Sequence, residues 1–404
     1  MQDSGDFSQW LARAGLENRD EFKLLTGFAS RCNERGLRLT RAMTIMDTLH
    51  PTWEGRAFRW TRDGAAPYAA IDYGSSDSGA EADSWRRSVF YAMLQDGSEE
   101  FHARLDEDDV SRFPVLQEIK EAGNTGYLAL ILRFGPDGSM GDMDCFYAAF
   151  ATDAPGGFSA EALDLLRRMA PVLGLATKAA TLKRIAGTVA EVYLGRDASR
   201  RVLSGQIRRG LAERIGAVLW FSDLRGFTTI TDTTHPDRII PLLNDYAEAV
   251  IAAVHEEGGD VLKLIGDGVL AVFNAEDRAQ ACLAALRAEA GLRRRLGEVD
   301  TRRRAAALPV TDVNLGLHVG EVFYGNIGSD ERLDFTVVGP AVNETSRVVA
   351  LCRSVDRNVL MTSEFVAATP ETERGRIVSV GRFALRGVRR AQELFTLEAE
   401  GLLV

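Results

Sequence analysis

Basic charge, paired cysteines and long apolar runs are all scarce in this 404-residue chain, and each scarcity removes a class of protein. Lys and Arg number 48 against 58 Asp and Glu, a net charge of -10, so nothing draws a polyanion to the whole surface. Nucleic acid is not expected as a partner. The four cysteines, Cys32, Cys145, Cys282 and Cys352, include no CxxC pair, which offers neither a zinc ribbon nor a disulfide framework and fits a reducing compartment. His50 and His102 stand alone, without the spacing of a haem or metal site. The longest uncharged apolar stretches, YLALIL (127–132) and CFYAAFA (145–151), fall far short of a membrane span. The opening MQDSGDFSQW carries acids where a signal peptide carries bases, so a cytoplasmic location without a membrane span is expected. No GxxxxGK[ST] loop is present, which excludes a P-loop NTPase.

What is present is a composition for two real cores: 46% hydrophobic and 26% charged residues on a chain two to three times the common domain length. Residues 1 to about 45 show helical spacing, as in Phe22, Leu25, Phe28 and Cys32, with Gly36 as a stop signal. From about 55 to 155, short apolar runs alternate with Gly, Asp, Ser and Pro clusters, the texture of an antiparallel sheet. Ser159 starts a helix in which Met169, Val172, Ala176, Ala179, Leu182, Ile185, Val189 and Val192 recur every three or four residues. That is the seam of a two-stranded coiled coil, expected to connect and dimerise; the alternative is the buried face of a helix packed on its own domain. A polar, basic linker follows over 197–215, with Gly205 and Gly210 as breakers. The expected division is therefore 1–158, a helical dimerising connector over 159–210, and a second unit over 211–404.

The second unit reads as mixed α and β. AVLWFSD (217–223) is a buried strand ending on an acid, followed by a helix over 236–256. DVLKLIG and GVLAVF then form a hairpin turning at Gly266 and Asp267. A helix (277–296), a basic loop (302–304), strands near 312–319 and 334–338, and a helix over 340–353 complete it, with His318 as a packing residue. Neighbouring strands can bring Asp223 and Asp267 to one sheet edge, where two carboxylates suit Mg2+, although each acid is also an ordinary strand-end or turn residue.

FSDLRGFT (221–228), KLIGDGVLAVF (263–273) and DFTVVGPAVNETSR (334–347) together resemble the signature segments of class III nucleotidyl cyclases. The resemblance covers about 211–404, including GLHVGEVFYGNIG (316–328), and implies a ferredoxin-like palm that cyclises a nucleoside triphosphate. It implies that Asp223 and Asp267 hold two Mg2+ (or Mn2+) ions, completed by the Leu224 carbonyl. One ion would activate the ribose 3′-hydroxyl and the other hold the triphosphate. The turn from Phe221 through Gly226 to Phe227 would present backbone N–H groups to phosphate oxygens. Asn343 and Arg347, four apart on one helix face, match the ribose-orienting and transition-state residues. Lys263 and Thr336 stand at the base-selecting positions. A lysine only donates, which suits adenine N1, and the Thr336 hydroxyl can accept from N6. Thr at that place, where many adenylyl cyclases have Asp, resembles a Thr-bearing subclass. Arg386 stands where the family has a triphosphate-contacting Lys, with Arg389 and Arg390 nearby.

In that family the metal ligands and the Asn/Arg pair come from different subunits, so the resemblance implies a homodimer with composite sites, acting on ATP. Guanylate cyclase activity and a catalytically inactive nucleotide-binding scaffold are the alternatives. A GGDEF-type diguanylate cyclase fails because Val261 and Leu262 follow Gly258, Gly259 and Asp260. The N-terminal half resembles GAF-type sensor domains, which implies regulation by a small-molecule effector. Its aromatics, including Trp53, Trp60, Tyr73, Tyr127 and Phe146, serve either a pocket or the core.

Overall fold

The computed structural model describes residues 2–64, 70–74, 79–135, 139–141, 143–386 and 391–398. The chain divides into two compact units, 1–189 and 190–404.

The N-terminal unit begins with α1 (Gln2–Leu16) and α2 (Glu21–Glu34), the latter capped by the Asp20 carboxylate, which accepts from the Lys23 N–H. Next come β1 (Leu39–Asp47), β2 (Gly55–Thr61), β3 (Ala70–Tyr73), α3 (Gly79–Arg86), α4 (Val89–Asp96), β4 (Glu100–Arg104), α5 (Pro114–Glu121), β5 (Gly126–Arg133), β6 (Cys145–Thr152) and α6 (Ala160–Leu194). The six strands form one antiparallel sheet in the order β3-β2-β1-β6-β5-β4. The two-residue period of a strand divides its side chains between two cores. Leu128, Leu130, Phe146, Ala148 and Phe150 face α1, α2 and α6. Tyr127, Ala129, Ile131, Cys145, Tyr147 and Ala149 face α4 and α5. Burial on both faces is why β5 and β6 read as continuous apolar runs.

Two expectations change here. The stretch read as helical to about 45 already turns into β1 at Leu39, and three helices interrupt the run read as strands. The periodic residues after Ser159 do form one helix, passing through Pro171. The turns flanking that proline are anchored by buried Leu166, Met169, Ala170 and Leu173. Its apolar face, however, packs on its own unit: Met169, Ala176 and Ile185 are in the core, with Val172, Leu182 and Val189 against it.

The C-terminal unit opens with α7 (Arg196–Leu203), where a linker was expected. It continues through β7 (Ala212–Leu224), α8 (Phe227–Thr233), a 3-10 turn (Pro236–Arg238), α9 (Ile239–Glu256), β8 (Asp260–Ile265), β9 (Gly268–Asn274), α10 (Arg278–Ala305), β10 (Val313–Gly328), β11 (Leu333–Val338) and α11 (Pro340–Val355). The unit closes with β12 (Val359–Thr362), α12 (Ser363–Ala368), α13 (Glu371–Arg374), β13 (Ile377–Phe383) and β14 (Gln392–Leu397). The sheet order is β13-β14-β12-β10-β7-β9-β8, with β11 paired to β10. Trp220, Val218 and Phe273 face α9 and α10, while Leu219, Leu270 and Val272 face the other way. Helix α11 lies close on β10 because Gly316 and Gly320 leave room. A Cβ at Gly320 would stand 2.5 Å from the Ala341 Cβ, and one at Gly316 would stand 2.9 Å from the Thr345 carbonyl oxygen.

The expected basic loop at 302–304 is instead the last turn of α10. Arg303 is 1% exposed and is held by the Asp245 carboxylate and the Pro309 carbonyl, so its charge is buried only because it is paired.

Candidate active site

Asp223 reaches the end of β7 because the strand is fixed on both sides: Ser222 opposes Val269 of β9, and Asp223 opposes Asn314 of β10. The Asn314 side-chain amide donates to Asp223 Oδ1 at 3.0 Å. Asp267, in the β8–β9 turn, accepts the Leu224 backbone N–H at 3.2 Å through Oδ2. The two acids and Leu224 line one pocket of about 180 Å3, together with Leu243, Asn244 and Ala247 of α9. Burial raises the pKa of Asp223; the Asn314 hydrogen bond opposes the rise and the nearby Asp267 charge adds to it. Among the described residues, no lysine, arginine or histidine forms an ion pair with either acid. Two half-buried carboxylates without a basic partner fit a divalent cation, which would supply the missing positive charge.

Phe221 is half-buried in β7, and Phe227 opens α8 with its ring against the core. Between them Gly226 precedes α8 at φ +72, a left-handed conformation that a side chain disfavours. Lys263 on β8 is ion-paired with Asp334 on β11. Thr336 lies two residues further along the same strand, on the same face, opposite Gly325. Asn343 is exposed and Arg347 half-buried on α11, and neither lines the pocket of Asp223 and Asp267. Arg386 is exposed just after β13; Arg389 and Arg390 lie outside the described residues.

The structure thus gathers Asp223, Leu224 and Asp267 in one group, Lys263 and Thr336 at a second place, and Asn343 with Arg347 on a helix apart. Two neighbours were not foreseen. Asp334 sits two residues before Thr336, a spacing that already placed it on the same strand face. Asn314 carried no signal, because its role depends on β7–β10 register.

Sequence comparison bears on the same segment. Residues 212–399 match the family described as the adenylate and guanylate cyclase catalytic domain. The C-terminal unit carries a nucleotidyl cyclase catalytic domain.

An adenylate cyclase of Anabaena cylindrica is 32% identical over 174 residues, covering 43% of this chain and 35% of that protein. Adenylate cyclase 1 of Rhizobium meliloti is 27% identical over 216 residues, covering 50% and 32%. The chain therefore spans about a third of the length of the curated relatives it matches. The solved adenylyl cyclase CyaB from P. aeruginosa is 23% identical, covers 47% of this chain and 96% of that one, and superposes with a TM-score of 0.43. The match falls on the cyclase domain; residues 1–211 lie outside it. Among the described residues no helix is long and apolar enough to cross a membrane.

Proposed function

We propose that the chain is an adenylate cyclase, converting ATP to 3′,5′-cyclic AMP and pyrophosphate in a homodimer with composite sites. The observation that carries this reading is the pair Asp223 and Asp267, converging on one pocket of the cyclase domain without a basic partner among the described residues. Bound Mg2+ or Mn2+, two ions per site, would supply Lewis acidity toward the 3′-hydroxyl and the triphosphate.

The chain's own residues do the rest. Asp223 is oriented by Asn314 and Asp267 by the Leu224 N–H, so the ligand set is formed before substrate arrives. The Leu224 carbonyl would join them. The backbone from Phe221 through Gly226 to Phe227 turns toward the triphosphate. Lys263, held by Asp334, donates to adenine N1, and Thr336 accepts from N6. Asn343 orients the ribose, and Arg347 neutralises charge on the phosphoryl group as the α-phosphorus is attacked. Asn343 and Arg347 lie outside the Asp223 pocket, which supports a second copy supplying them. Arg386 is assigned to the triphosphate. The helix α6 lends this dimer no support, since its apolar face is used within its own unit.

The N-terminal unit is read as a GAF-like regulator over 1–158, followed by a connector over 159–210 and the catalytic domain over 211–404. Its cavity of about 1210 Å3, lined by Met43, Trp85, Tyr127 and Tyr147 among others, is where a small-molecule effector would bind. A truncated chain starting near 205 that matched full-length activity under every condition would remove this regulation.

The deciding experiment is chromatography of products from purified protein given ATP or GTP with Mg2+ or Mn2+. Cyclic AMP from ATP supports the reading. Cyclic GMP alone would make it a guanylate cyclase, and nucleotide binding without any cyclic product would make it a scaffold.

A further inference from the structure

Outside the proposed catalytic residues, the cyclase domain gathers a second set of metal-ligating side chains where β10, α11 and the start of α12 meet. A ring nitrogen of His318, and one carboxylate oxygen each from Glu344 and Glu364, lie within 4.8 Å of one another. It is the one group of three such residues among the described residues. We propose that His318, Glu344 and Glu364 form a binding site for a divalent cation of the Zn2+ class.

His318 is 5% exposed on β10, and its Nδ1 lies 2.9 Å from Thr362 Oγ1. Thr362 Oγ1 also accepts the Phe365 backbone N–H at the start of α12. In the ligating form Nδ1–H donates to that hydroxyl oxygen and Nε2 keeps its lone pair. Metal-binding imidazoles are commonly held in this way by a partner on the other nitrogen. The neutral ring is the form that ligates.

The second sign is Glu344. Its Oε1 is sealed from solvent and meets no hydrogen-bond donor, an unsatisfied group that ordinarily costs about 1–3 kcal/mol. A Glu364 carboxylate oxygen within 4.8 Å brings a like charge beside it. A cation between the two glutamates answers both the orphaned oxygen and the like-charge repulsion. Glu364 is exposed, which gives an ion a way in and leaves a coordination position for water. Zn2+ ligands about 2.0–2.2 Å from the metal sit roughly 3–3.5 Å apart, so side-chain adjustment of about 1 Å completes the shell. Imidazole with carboxylate suits Zn2+ better than the oxygen-only preference of Mg2+.

The site has a consequence for catalysis that rests on the cyclase reading. Glu344 stands between Asn343 and Arg347 on α11, so an ion tying it to β10 and α12 fixes the helix that carries both. Zn2+ occupancy then sets where the Asn/Arg pair sits.

The test is Zn2+ competition against a chromophoric chelator, using the full chain freed of metal. The Asp223→Asn/Asp267→Asn variant is expected to retain one Zn2+ per chain. Adding Glu364→Gln, an exposed substitution, should weaken that site at least tenfold with the melting temperature unchanged. His318→Gln should weaken the site likewise. In the otherwise unaltered chain, Glu364→Gln should remove one ion from the total. No ion retained in the double-Asn chain, or less than a tenfold effect of Glu364→Gln, would overturn the site. A chain that binds this Zn2+ yet makes no cyclic nucleotide keeps the site and loses the cyclase reading.

Discussion

Replacing Asp223 by Asn should stabilise the metal-free protein while removing its response to nucleotide. Asp223 is half-buried, its pKa is raised by burial and by Asp267, and no cation among the described residues pairs with it, so its charge opposes folding when no metal is bound. Asn keeps an oxygen that can accept from the Asn314 amide, now 3.0 Å away, so shape and hydrogen bond survive. Relief of one such unfavourable charge is worth ~0.5–2 kcal/mol. For a unit of this size each kcal/mol moves the melting temperature by roughly 2–4 °C, giving a rise of about 1–8 °C at neutral pH. The sign follows from linkage. A raised carboxyl pKa means that the native state binds the proton more tightly, so native stability falls as pH rises from the ordinary carboxylate range through the raised value. The advantage of Asn should therefore shrink as pH drops toward 4. Ligand works in the opposite direction: a nucleotide–metal complex at 100 times its Kd adds about 2.7 kcal/mol, or roughly 5–10 °C, to the wild type and little to the variant. Differential scanning fluorimetry with and without ATP and Mn2+ reads both shifts. A variant that melts lower than wild type when metal-free, yet keeps the ligand shift, would refute the assignment of Asp223 as a metal ligand.

Three further outcomes are expected. Arg347→Ala should lower kcat by about 10^3-fold or more with nucleotide binding retained, and mixing it with Asp223→Ala should recover activity through one intact shared site, measured as cyclic AMP after subunit exchange. Lys263→Glu should shift preference from ATP toward GTP, because an acceptor replaces the donor to N1 and now stands beside Asp334; the ratio of kcat/KM values reports it. Arg303→Ala should destabilise by ~1–3 kcal/mol, since it leaves the Pro309 carbonyl without its donor and Asp245 with Arg302 alone, as read by urea denaturation.

Much of the C-terminal unit was legible because its strands are continuous apolar runs ended by an acid or a turn. The hairpin turn at Gly266–Asp267 and the strand leading to Asp223 follow from that pattern. Periodicity names a buried face but not what covers it, and so the seam of α6 read as a dimer contact although it forms a core contact of its own unit. Strand β1 was hidden because LTRAMTIMD puts polar residues on both faces of an interior strand. The roles of Asn314 and Asp334 depend on pairing between distant strands, which no local pattern encodes. Arg303 looked like a solvated loop residue because its partner, Asp245, lies 58 positions away.

The pairing of β7 also governs how the nascent chain must fare on the ribosome. Its hydrogen-bonding partners are β9, at 268–274, and β10, at 313–328, so the strand emerges long before either edge can be covered. Until residues 316–320 are made, the run AVLWF (217–221) exposes an unpaired apolar edge of the kind that recruits other chains. A stop codon or stalled synthesis between β9 and β10 would leave that edge bare, and such fragments are expected to aggregate rather than persist as half-folded domains.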